Sequence, residues 1–152
     1  MIPKYRAYDK ETKKVYPVTD LDFSRDGQNL LGVAVRMEPA FIPMLQAEQV
    51  VLMQSTGMFD RKGAEIYVGD VLEIRNTKRF IREGNITCFS EVKVSEGHVY
   101  VWTQPIVKGR KIRYGALQLR SGLSKYIDMQ GVATSDVKVI GNIYENPDLV
   151  ED

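Results

Sequence analysis

Cysteine, histidine and tryptophan each occur once in this chain, as Cys88, His98 and Trp102. A single cysteine excludes an intrachain disulfide and any zinc site built on cysteines. A single histidine leaves one conceivable Ser-His-Asp or Cys-His system. His98 follows Gly97 in an expected hairpin turn, the setting of a solvated side chain rather than an oriented base. Cys88 fits a small buried hydrophobe better than a nucleophile. Long apolar runs are missing too: none exceeds the four residues of Val50–Met53, far short of a membrane span. Lys4, Arg6 and Lys10 are followed by no apolar signal region. The expectation is a cytoplasmic protein with no membrane partner. Neither a phosphate-binding Gly-Lys-Ser/Thr loop nor a G-x-G-x-x-G fingerprint is present, so nucleotide cofactors are not expected.

What is abundant is alternation and turn chemistry. Gly57, Gly63 and Gly69 recur every six residues, each read as a reversal of the chain. Between them Ile66, Val68, Val71 and Ile74 are apolar against Glu65, Tyr67, Asp70 and Glu73, the pattern of small antiparallel sheets. Tyr5–Tyr8 and Val15–Val18 flank the polar Asp9–Lys14 as a β-hairpin, which assigns Pro17 to an edge strand or a strand end. Glu91–Val94 and Val99–Trp102 flank Ser95–His98 as another, and Ile106–Val107 and Ile112–Tyr114 flank a basic turn, Lys108–Lys111. Glu38–Pro43 cannot be helix throughout, because each proline removes a donor and extends its predecessor. Met44–Gln49 reads as one helical turn or a loop, Leu123–Met129 as a short helix, Leu30–Met37 and Val137–Tyr144 as strands. The fold expected is α+β and predominantly β, with small antiparallel sheets, an SH3-like barrel component and few short helices. It forms one domain over 1–152, or two packed subdomains at about 1–50 and 51–147 with an acidic tail at 148–152.

Asp22-Phe23-Ser24-Arg25-Asp26-Gly27 imitates the first half of a calcium loop, but the position that should carry a bidentate glutamate is Val33. It reads as an Asx turn with Gly27 left-handed, and no metal is expected. Asp60, Glu65 and Asp70 lie close together in sequence, as an acid-base or magnesium site would need, yet Asp60 and Asp70 suit turns and Glu65 an exposed strand face. No catalytic residue is assigned, and the protein is not expected to be an enzyme.

Charge is uneven. Val71–Lys125 holds eleven basic and four acidic residues, +7 within a chain whose total is +1. Arg75, Lys78, Arg79 and Arg82 form one basic cluster, and Lys108, Arg110, Lys111 and Arg113 another, with Trp102 between them in sequence. Cationic loops beside an aromatic suit nucleic-acid backbone and base stacking. The competing reading makes these solvated loops and gives Val99, Tyr100, Val101 and Trp102, apolar on both faces, to a subunit interface.

Met53-Gln54-Ser55-Thr56-Gly57 with Asp60, Gly63, Glu65-Ile66-Tyr67 and Gly69-Asp70-Val71 resembles the first signature block of the YopX family. Val139-Ile140-Gly141-Asn142-Ile143-Tyr144-Glu145-Asn146-Pro147 resembles the second, and Lys4–Asp9 is similar to that family's opening. Residues 80–136 follow no visible family pattern. The resemblance implies a small, largely β protein encoded by a phage or prophage, with no established biochemical activity and no catalytic residue to carry over. Two functions are therefore weighed. The first is a non-enzymatic accessory protein acting through self-assembly, as a homo-oligomer, or through a host or phage protein. The second is a nucleic-acid-binding module using the basic loops of residues 75–113.

Overall fold

The structure is a computed structural model, and it describes residues 4–75, 87–103, 106–107, 110–111, 115–120 and 131–149. Residues 75, 87–89, 102–103, 106–107, 110–111, 115–117 and 131–132 are described by their backbone alone. The chain divides into two compact units, Met1–Ser55 and Thr56–Asp152. Among the described residues no barrel closes, and the helical elements are three-residue 3-10 turns, none long and apolar enough to cross a membrane. The expected barrel component is replaced by open, almost entirely antiparallel sheets.

The first unit is built from β1 (Tyr5–Asp9), β2 (Lys14–Phe23), β3 (Leu30–Val35), β4 (Met44–Gln46) and the first half of β5 (Val50–Phe59). Their order is β4-β3-β2-β1-β5. The β1–β2 hairpin is the expected one, with Ala7 opposite Tyr16 and Asp9 opposite Lys14. Pro17, however, is neither on an edge strand nor at a strand end. β2 is ten residues long and changes partner there: β1 pairs it up to Pro17 and β3 takes over from Val18. The proline sits at this change of partner, and its carbonyl accepts the Arg36 N–H at 2.9 Å. Ser24–Gly27 is the expected turn: Gly27 has φ +73°, and Gln28 donates to the Asp26 carboxylate at 3.0 Å. Ala7, Val33, Val35, Leu45 and Val50 form the core, with Tyr16, Val18 and Leu52 packed on it. Each such burial is worth roughly 1.5–3 kcal/mol.

In the second unit the last residues of β5 adjoin β6 (Glu65–Tyr67). β7 (Asp70–Arg75), β8 (Thr87–Ser95) and β9 (His98–Thr103) form a meander. β10 (Ile106–Val107) and β11 (Arg110–Lys111) make a separate ribbon. β12 (Gly115–Arg120), β13 (Gly131–Ala133) and β14 (Val137–Asn142) complete a sheet of order β13-β12-β9-β8-β7-β14, in which only β12 and β13 pair in parallel. Ile66, Leu72, Ile74, Val92, Val101, Leu119 and Val137 are its core. The β8–β9 turn is two residues, Glu96 and Gly97, with φ +52° and +78°, the left-handed pair that matches the twist of a hairpin.

Several expectations are corrected. Gly57 does not reverse the chain; it takes φ +74° within β5, which runs on to Phe59. The reversal comes at Asp60–Ala64, where Gly63 has φ +84°. Arg110 and Lys111 belong to a strand rather than a four-residue turn. The last strand stops at Asn142, and Met44–Gln49 is a strand followed by a 3-10 turn, Ala47–Gln49. The expected helix at Leu123–Met129 lies outside the described residues.

Candidate functional site

Asp60 is a heavily engaged carboxylate of the second unit. It is 7% exposed and accepts three backbone N–H groups, from Lys62 at 2.8 Å, Ala64 at 2.9 Å and, far along the chain, Val139 at 2.8 Å. Burial pushes its carboxyl up. The three N–H dipoles and the neighbouring Arg61 charge outweigh that and hold it below the usual carboxylate range. Backbone bonds run beside it, Arg61 N–H to Val137 O at 3.0 Å and Ile143 N–H to Gly69 O at 2.9 Å. Residues 60–69 and 137–143 are thereby one clamp: the turn of the β5–β6 hairpin is fastened to β14.

Asn142 closes the far end. Its side-chain oxygen accepts the N–H groups of Tyr144 and Glu145 at 3.1 and 2.8 Å, and its amide nitrogen donates to Glu145 at 2.8 Å. The 3-10 turn Pro147–Leu149 follows, and Asn146 Oδ1 accepts the Asn142 N–H at 3.3 Å. Gly141 lies inside β14 at a register shift. Crowding explains it: a Cβ there would come within 2.9 Å of Asn146 Cγ and 3.1 Å of Leu149 Cδ1.

Asp60, Glu65 and Asp70 do not converge on a reactive centre. Asp70 is 1% exposed and accepts the Tyr67 N–H at 2.8 Å, and Glu65 accepts the Tyr67 hydroxyl at 2.9 Å. His98 contacts Gln118 at 3.3 Å and stands edge-on to Tyr100, with ring centres 6.4 Å apart, so no nucleophile meets it there. Among the described residues no three His, Cys, Asp or Glu side chains gather as metal ligands. In the first unit Asp9, 1% exposed, binds its own turn through Glu11 N, Thr12 N and Thr12 Oγ1, and also Gln49 Nε2 at 2.9 Å. Sequence reading passed over this second clamp because Gln49 is forty residues away.

The basic residues are only partly placed. Lys78, Arg79, Arg82, Lys108 and Arg113 lie outside the described residues. The backbones of Arg75, Arg110, Lys111 and Trp102 sit at the end of β7, on β11 and on β9, where Trp102 pairs with Glu91 and Ala116. Of the expected interface stretch, Val101 is fully buried and Val99 packs on the same core. One face of β9 is thus covered within its own unit, and Tyr100, on the other, is half-buried.

The conspicuous unpaid surface is elsewhere, in the limb that leads into β4. Phe41, Ile42 and Met44 are 54%, 43% and 56% exposed. A β-turn, Glu38–Phe41, precedes them with Pro39 at its second position, closed by Phe41 N–H to Glu38 O at 3.0 Å. The signal was legible in part: Pro39 and Pro43 flank Phe41-Ile42, and a proline holds the residue before it extended rather than helical.

Two small antiparallel β units, joined through β5 and held by carboxylate clamps, define a β-rich protein with no assembled catalytic centre among the described residues. The YopX protein family model matches residues 4–151, and the chain belongs to that family. The two stretches that carried the sequence resemblance, 53–71 and 139–147, meet at the Asp60 clamp. The crystal structure of protein EF1440 from Enterococcus faecalis is similar in fold, with a TM-score of 0.58 and 24% identity over 99% of each chain. Among curated proteins none matches.

Proposed function

We propose that this YopX protein is a non-enzymatic accessory protein of a phage or prophage, cytoplasmic in its bacterial host, that works by protein–protein contact. The observation that carries this reading is the exposed limb Phe41-Ile42-Met44 on the edge strand of the first unit. Large apolar side chains grouped on a sheet edge are where another chain docks, since burial and unpaired backbone groups both reward it. Asp60 and Asp70, two of the carboxylates that might have done chemistry, accept backbone N–H groups, which suits a scaffold rather than a reaction centre.

The test is a photo-reactive amino acid at position 41 of the full chain in its bacterial host. A discrete protein adduct supports the reading, and light-dependent adducts to no protein contradict it. The second reading, a nucleic-acid-binding module, is favoured by the +7 balance of Val71–Lys125. Binding of short DNA and RNA across a salt series separates the two, because phosphate contacts weaken steeply with salt.

A further inference from the structure

We infer that the β4 edge is the self-recognition surface of this protein: a second copy adds its own β4 antiparallel across a two-fold axis at Met44. This rests on the protein-contact reading above and names the partner within it.

The backbone geometry comes first. β4 ends its sheet, with β3 on one side only. Val35 donates to Pro43 O at 3.1 Å, so the main-chain groups of Pro43 face β3, as do those of Leu45 two residues on. By the alternation of an antiparallel ladder, those of Ile42, Met44 and Gln46 face outward. Proline commonly blunts an edge by removing a donor from its open side. Pro43 does the opposite here: its missing N–H falls on the β3 side, and the open side keeps every donor it has.

The side chains and charges agree. Pro39–Ala47 is nine residues without a charge, so the strand has none of the lysines that keep edges apart. A two-fold at Met44 places Met44 beside its own copy and Ile42 opposite Gln46 of the second copy. The same register carries Ala40 of one copy to Glu48 of the other. The Arg36 guanidinium donates to Pro39 O at 3.2 Å, which holds its charge at that end of the limb. Both Arg36 and Glu48 are exposed. The pairing therefore brings a cation of each copy toward a carboxylate of the other, twice.

The experiment uses the purified full chain. Light scattering is expected to give twice the mass of one chain, and a photo-reactive residue in place of Ile42 to cross-link to residues 45–47 of a second copy. Met44→Lys, at an exposed position, sets two ammonium groups across the axis and is expected to give a monomer with an unchanged circular dichroism spectrum. Arg36→Glu and Glu48→Arg each weaken association by about tenfold, and the double variant restores it. A wild-type monomer at every concentration, a dimer untouched by Met44→Lys, or cross-links mapping away from β4 overturns self-pairing. If the chain is a monomer yet position 41 cross-links to a different protein in cells, self-pairing fails while the protein-contact reading stands. If position 41 finds no protein at all, both fail.

Discussion

The Asp60 carboxylate accepts the backbone N–H of Val139 at 2.8 Å across 79 positions of sequence. That bond joins the two stretches on which the sequence resemblance rested, and it gives Asp60 a structural role beyond its own turn. Asp60 serves its own turn through Lys62 and Ala64 and β14 through Val139 at once. Asp60→Ala takes the acceptor from three backbone N–H groups at once, and about 3 kcal/mol of stability is expected to be lost. Urea unfolding measures it. Asp60→Asn, which keeps one acceptor oxygen, is expected to lose less.

Gly141→Ala tests the crowding at the other end of the clamp. A methyl group there meets Asn146 and Leu149, and a loss of about 1–3 kcal/mol is expected. Combined with Asn146→Ala the two losses are expected to be less than additive, since the second change removes the atoms the first collides with. A strictly additive result in the double-mutant cycle contradicts the crowding account.

The first-unit hairpin Asp9–Lys14 and the Glu96-Gly97 turn were legible in the sequence because their signals are local: polar turn residues between short apolar runs. Gly57 was misread because a glycine with positive φ serves a long strand as readily as a corner, and nothing nearby distinguishes the two. Pro17 misled for a different reason. A proline is excluded from a two-sided strand only where both sides are paired at that residue, and β2 exchanges partners there. The clamps at Asp60 and Asp9 depend on partners 79 and 40 residues away, which no window of sequence shows. The exposure of Phe41 and Met44 was hidden similarly, since composition says a side chain is apolar and only topology says that β4 ends the sheet.

Acid stability follows from the carboxylates. In the folded chain the carboxyls of Asp9 and Asp60 are both held below the ordinary aspartate range. In each, burial opposes ionisation and hydrogen bonds prevail: Gln49, Thr12 and Glu11 for Asp9, and Val139, Ala64 and Lys62 with the Arg61 charge for Asp60. Near and below pH 3.8 the unfolded chain therefore binds more protons than the folded one, so stability rises with pH there. The contribution is complete above the unfolded pKa and is lost as pH falls through the folded values. Urea midpoints between pH 5 and 2.5 are expected to drop, and more shallowly in Asp9→Asn and Asp60→Asn.

The β8–β9 turn offers a stabilising change. Glu96 holds φ +52° before Gly97, a conformation asparagine adopts more readily than glutamate. Glu96→Asn is expected to raise stability by about 0.5–1 kcal/mol, read as a higher thermal midpoint. Gly97→Ala, at φ +78°, is expected to lower it by about 1 kcal/mol.

The most direct measurement is amide hydrogen exchange at β4 in the purified chain over a dilution series. Leu45 N–H faces β3, and its exchange is expected to be slow at every concentration. Met44 and Gln46 N–H groups face outward, and only a second strand can protect them. The account predicts that they exchange as slowly as Leu45 in concentrated solution and become fast on dilution. Fast exchange at Met44 and Gln46 at all concentrations, beside a protected Leu45, would show a bare edge and contradict self-pairing through β4.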